Sequence, residues 1–137
     1  MSEDLRDEFK RLARDLVDTF RRDLDVTLNY DDESLEYLDG YIARNRDAIR
    51  EKTGGKYNGL VNVIGAFLGE CIIANHGGQW KQSDKGAWGI YFENGSAAFP
   101  FAKVHKAFSE DGQYDSIASF YRASKLFQEG KIGDSNS

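Results

Sequence analysis

At 137 residues, with 40% apolar and 30% charged side chains, the chain has the size and composition of one folded domain and not of a disordered segment. A single cysteine excludes an internal disulfide and fits a reducing, cytoplasmic setting. The net charge of −5 falls wholly on residues 1–52, which hold 15 acids and 10 bases, whereas residues 53–137 balance at 8 and 8.

The acidic start, Met1-Ser2-Glu3-Asp4, lacks the basic-then-apolar layout of a signal peptide. The longest apolar run, Leu60 to Ala74, is short for a bilayer and contains Asn62 and Glu70, so no membrane span is expected. Between Asp23 and Asp39 there are seven acids and no Lys or Arg. Such a field repels phosphate backbones, which argues against nucleic acid and for a basic protein surface as partner.

In chain order, Leu5, Phe9, Leu12, Leu16 and Phe20 recur every three or four residues and predict an amphipathic helix over 3–22. An extended link, Asp25 to Tyr30, leads to a second helix that Asp31 or Asp32 can cap, with the stripe Leu35, Leu38, Ile42 and Ile49. Thr53-Gly54-Gly55 stops it. A third helix over about 57–76 carries a wide apolar face, small residues opposite, and Gly65 and Gly69 where a neighbour can come close. Gly77-Gly78 ends it.

The period then changes. Trp80 falls in a short strand, Ser83 to Gly86 reads as a turn, and Trp88, Ile90 and Phe92 alternate along a second strand. A two-residue turn at Asn94-Gly95 would place Phe92 opposite Ala97, Ile90 opposite Phe99 and Trp88 opposite Phe101. Pro100 ends that strand or opens a short helix with Phe101, Val104 and Phe108. Gly112 interrupts, and Asp115 can cap a last helix with Ile117, Phe120, Tyr121 and Phe127 on its core side. The reading is an α+β fold: three N-terminal helices, a three-stranded antiparallel meander and two C-terminal helices. It forms a single domain over 1–129, followed by a flexible polar tail over 130–137.

Candidate chemistry is sparse. Glu70 is the most unusual residue, an acid inside an apolar helix. It is either a general acid or base in a groove between the third helix and the sheet, walled by Trp80 or Trp88, or a structural carboxylate bonded to backbone or to a tryptophan N–H. Cys71 and His76 do not form a nucleophile pair, since five helical residues set them about 140° apart. Cys71 reads as a buried thiol, and His76 as a dipole and capping partner at a helix C-terminus. His76 and His105 lack metal-ligand spacing, so no metal is expected. Thr53-Gly54-Gly55-Lys56 is not a phosphate loop, because the glycine spacing is wrong and Tyr57 stands where Ser or Thr is needed. No cofactor signature is present. Asp31, Asp32, Glu33 and Glu36, with Tyr37 and Tyr41 one helical turn apart, form an acidic, tyrosine-bearing face suited to protein binding, or else a solvated helix face with the two tyrosines at the rim of the core.

The runs Ser34-Leu35-Glu36-Tyr37-Leu38-Asp39, Gly65-Ala66-Phe67-Leu68-Gly69-Glu70, Gly77-Gly78-Gln79-Trp80 and Phe99-Pro100-Phe101 occur in an order that resembles a pattern in small uncharacterised bacterial domains. The resemblance spans about residues 31–121 and brings no catalytic residue. It implies that Glu70 and Trp80 are features of the fold. Some domains of this size and style are immunity proteins that neutralise secreted toxins, so the resemblance implies an interaction protein of immunity or regulatory type. A small-ligand binder or hydrolase using Glu70 is the alternative, and self-association through an aromatic surface is a third possibility.

Overall fold

A computed structural model describes residues 2–109 and 116–130. Three helices come first: α1 (Ser2–Leu24), α2 (Asp32–Thr53) and α3 (Asn58–His76). The antiparallel strands β1 (Gln79–Gln82), β2 (Trp88–Tyr91) and β3 (Ala97–Ala98) lie side by side in chain order, and α4 (Pro100–Ala107) and α5 (Ile117–Gln128) complete the fold. This is the expected order of elements.

Local chemistry sets the helix ends. The α1 stripe buries Phe9, Ala13, Leu16 and Phe20, while Leu5 at its start stays 42% exposed. After α1 the chain turns through Asp25 in the left-handed region (φ 54°), and Val26 N–H donates to Phe20 O at 3.1 Å. This is a helix stop without glycine, so composition alone does not mark it. Asp31 caps α2 by accepting from Ser34 N–H at 2.9 Å. At its other end, Gly54 is left-handed and Gly55 N–H donates to Arg50 O at 2.8 Å.

α3 is the central pillar. Nine of its residues are buried, and it packs on α1, α4, α5 and β2. By length and composition alone it would pass as a membrane span, but half of that stretch is buried inside the fold. Gly65 and Gly69 are required by close approach. A Cβ on Gly69 would stand 2.2 Å from Trp80 Cζ2, and one on Gly65 would stand 2.4 Å from Phe101 Cδ1. The approaching groups are mainly aromatic rings, laid against the bare helix.

The sheet departs from the expected register by one residue. Tyr91 faces Ala97 and Ile90 faces Ala98, while Phe92 N–H donates to Ser96 O at 2.9 Å. The loop is therefore the three residues Glu93-Asn94-Gly95, closed by Gly95 N–H donating to Phe92 O at 3.0 Å, with only Gly95 at positive φ. A two-residue turn of the expected kind would put Asn94 there too. Instead its side chain is used, accepting from Ser96 N–H at 2.9 Å and donating to Phe127 O of α5 at 2.8 Å. A shift of one residue exchanges faces. Ala98, not Phe99, opposes Ile90, and the Phe99 ring lies against Gly89, 2.8 Å from where a Cβ would be.

Ser116 caps α5, its Oγ accepting from Ser119 N–H at 3.0 Å. The expected interruption at Gly112, the cap at Asp115 and the tail beyond residue 130 lie outside the described residues.

Candidate functional site

The acidic residues of α2 divide by role. Asp31 is spent on its own helix as the cap. Asp32 and Glu36, one turn apart, receive the Arg122 guanidinium of α5: Nε donates to Asp32 Oδ2 at 3.1 Å, and Nη2 bridges Asp32 Oδ1 at 2.8 Å and Glu36 Oε2. The two carboxylates hold the Arg122 pKa above its ordinary value. Their side chains stay 49% and 61% exposed. Glu33 is exposed beside them. Tyr37 and Tyr41 are half-buried and pack edge-on or tilted against Phe20 of α1, at ring distances of 6.2 and 5.0 Å, and Arg44 lies over the Tyr37 ring at 5.8 Å. The rings therefore seal α1 to α2 while a side of each reaches the surface.

Asp39 has a role the sequence does not declare. It accepts from Ser116 Oγ (2.8 Å), Ile117 N–H (2.8 Å) and Ala118 N–H (3.1 Å), and so caps α5 from another helix. With Arg122 it ties α5 to α2 at two points. Neither partner is legible in the chain, because they lie 77 or more residues from the acids they meet.

Glu70 is a clasp. Its Oε2 accepts from Trp80 Nε1–H at 2.9 Å, and Lys10 Nζ of α1 stands 3.4 Å from Oε1, so one carboxylate joins α1, α3 and β1. Its side chain is 13% exposed. Both oxygens have protein partners, the arrangement of a structural carboxylate accepting from a tryptophan.

Cys71 is buried, and desolvation pushes its thiol well above the ordinary range, which suppresses the reactive thiolate. His76 differs from expectation: its ring does not cap α3. Gly77 N–H bonds the Ile72 and Ile73 carbonyls, while His76 stacks on Tyr121 at 4.5 Å and its Nδ1 lies 2.8 Å from Ser124 Oγ. The Ser124 hydroxyl also lies 2.6 Å from Tyr121 O, and where it donates its one proton there, His76 Nδ1 is the nitrogen that carries a proton toward Ser124. Burial, then the Lys125 charge, holds the His76 pKa below its ordinary value. The Gly54-Gly55-Lys56 amides are committed to the end of α2. Among the described residues, no three His, Cys, Asp or Glu converge on a metal position.

A groove of about 470 Å³ opens elsewhere, between α1, α3, β2 and α4. Phe9, Trp88, Phe99 and Phe101 wall it, with the exposed Leu5 among its lining. Glu8 and Asn62 add its polar groups, and Glu70 is not part of it. The expected Trp88 wall is present, without the expected acid.

No family model, curated protein or solved structure matches the chain.

Proposed function

We propose that the protein is a cytoplasmic interaction module, of immunity or regulatory type, that presents the acidic, tyrosine-bearing face of α2 to a basic protein surface. The observation that carries this reading is the seat that Asp32 and Glu36 make for the Arg122 guanidinium while remaining about half exposed. Two carboxylates one helical turn apart accept a planar cation from outside their helix, and this is the chemistry by which an arginine of a partner is recognised. Glu33 adds exposed charge, and Tyr37 and Tyr41 add rigid contact area beside it.

The test is capture of partners from host lysate by wild-type bait and by a charge-swapped bait, Asp32→Lys, Glu36→Lys and Arg122→Glu. The swap keeps the attraction between α2 and α5 and reverses the charge at each of the three positions, cutting the local sum over Asp31, Asp32, Glu33, Glu36 and Arg122 from −3 to −1. A basic protein retained by wild type and lost by a folded swap, with direct binding that weakens as salt rises, is the expected result. A partner held equally by both baits, or no partner for wild type, overturns the reading.

A further inference from the structure

The groove between α1, α3, β2 and α4 is a second site, independent of the α2 face. Its volume of about 470 Å³ falls within the range of small-molecule pockets. Its rings are held from behind. Phe9 packs against Trp80, Trp88 and Phe101 at ring distances of 4.6, 5.5 and 5.2 Å, and Phe101 lies on bare Gly65. Phe9, packed on three rings, gives the wall a fixed centre that needs little reordering to receive a ligand.

Its polar lining favours a cationic ligand. Glu8 is the one ionisable side chain that lines it among the described residues, and Asn62 supplies an amide. Arg11 engages both oxygens of Glu8, Nε donating to Oε1 at 3.0 Å and Nη2 to Oε2, while its Nη1 reaches Asp15 Oδ2 at 2.8 Å, so an incoming ammonium shares Glu8 with Arg11, which keeps Asp15 as a second carboxylate. Aromatic faces favour the same charge, because their quadrupoles attract cations. Among the described residues, no basic side chain lines the groove to receive an anion.

We propose that this groove binds a small amine with an aromatic body, its ring among Phe9, Trp88 and Phe101 and its ammonium at Glu8. The test uses 2-phenylethylamine and its acidic counterpart 3-phenylpropionate, titrated separately into ¹⁵N-labelled full-length protein. Amide and indole shifts at Leu5, Phe9, Trp88 and Phe101 should saturate with the amine and stay small with the acid. Glu8→Gln should weaken the amine by about threefold, the scale of an exposed ion pair. Leu5→Arg, at an exposed position, should weaken it further without lowering the melting temperature. The proposal is overturned if the acid binds as well as the amine, or if the shifts fall outside the groove. It is also overturned if Glu8→Gln changes nothing, or if the groove proves to be filled by a second copy, seen as a concentration-dependent mass that Leu5→Arg abolishes.

Discussion

Glu70 illustrates how one side chain can carry two readings until its partners are known. An acid in an apolar helix predicts either chemistry or a clasp, and periodicity cannot choose, because the deciding group is Trp80, ten residues on and in a strand. Its indole N–H would be stranded in the core without an acceptor. Glu70→Gln keeps an acceptor for that N–H and gives up only a half-exposed Lys10 pair, so a loss below about 1 kcal/mol is expected in a denaturant melt. Glu70→Leu removes the acceptor and should cost about 1–3 kcal/mol. Equal losses for the two variants would show that charge, and not the tryptophan bond, is what Glu70 contributes. His76 is a second case. The helix dipole gave a sufficient account of a histidine at that end, yet Ser124, 48 residues later, is what orients the ring.

At the scale of elements, the helices and strands were legible because their periods are strong, and turn geometry was not. Asn94-Gly95 is a good hairpin signal. What the chain could not convey is that Asn94 would be drawn off to the end of α5, which leaves a three-residue loop and a register one step over. The glycines of α3 were legible as places of close approach, and the rings that approach them were not. Those rings set an order. Trp80 is 2% exposed and has no room to retreat, whereas Phe101 borders the open groove. Gly69→Ala is therefore expected to cost about 1–3 kcal/mol, and Gly65→Ala somewhat less, because the Phe101 ring has the groove to yield into even though its Cα, 3.2 Å from the added Cβ, must also give. Thermal melts of both variants check the order, and a larger loss at Gly65 would refute it.

For the whole molecule, charge and structure are linked through α5. The sequence placed the excess acid in the first 52 residues and left the later part neutral, so the acids looked free. Folding brings Arg122 and the amino end of α5 onto two of the sites where that acid is densest. α5 is thus tied to α2 by polar contacts at its amino end, beside its buried Ile117, Ala118 and Tyr121, whereas α3 is enclosed by α1, α4, α5 and β2, so α5 is the helix expected to open first. Asp39→Ala, which removes the external cap, should cost about 1 kcal/mol and speed hydrogen exchange in α5 well before α3 is affected. Equal acceleration in both helices would mean that α5 has no opening of its own. The two tryptophans give the molecule a further property. Trp80 is enclosed and bonded to Glu70, while Trp88 is partly exposed and lines the groove. Their fluorescence is therefore expected to differ in colour and in access to a dissolved quencher. The native protein carries two optical reporters, one answering to the integrity of the core and the other to events in the groove, and they can be followed together in a single unlabelled sample.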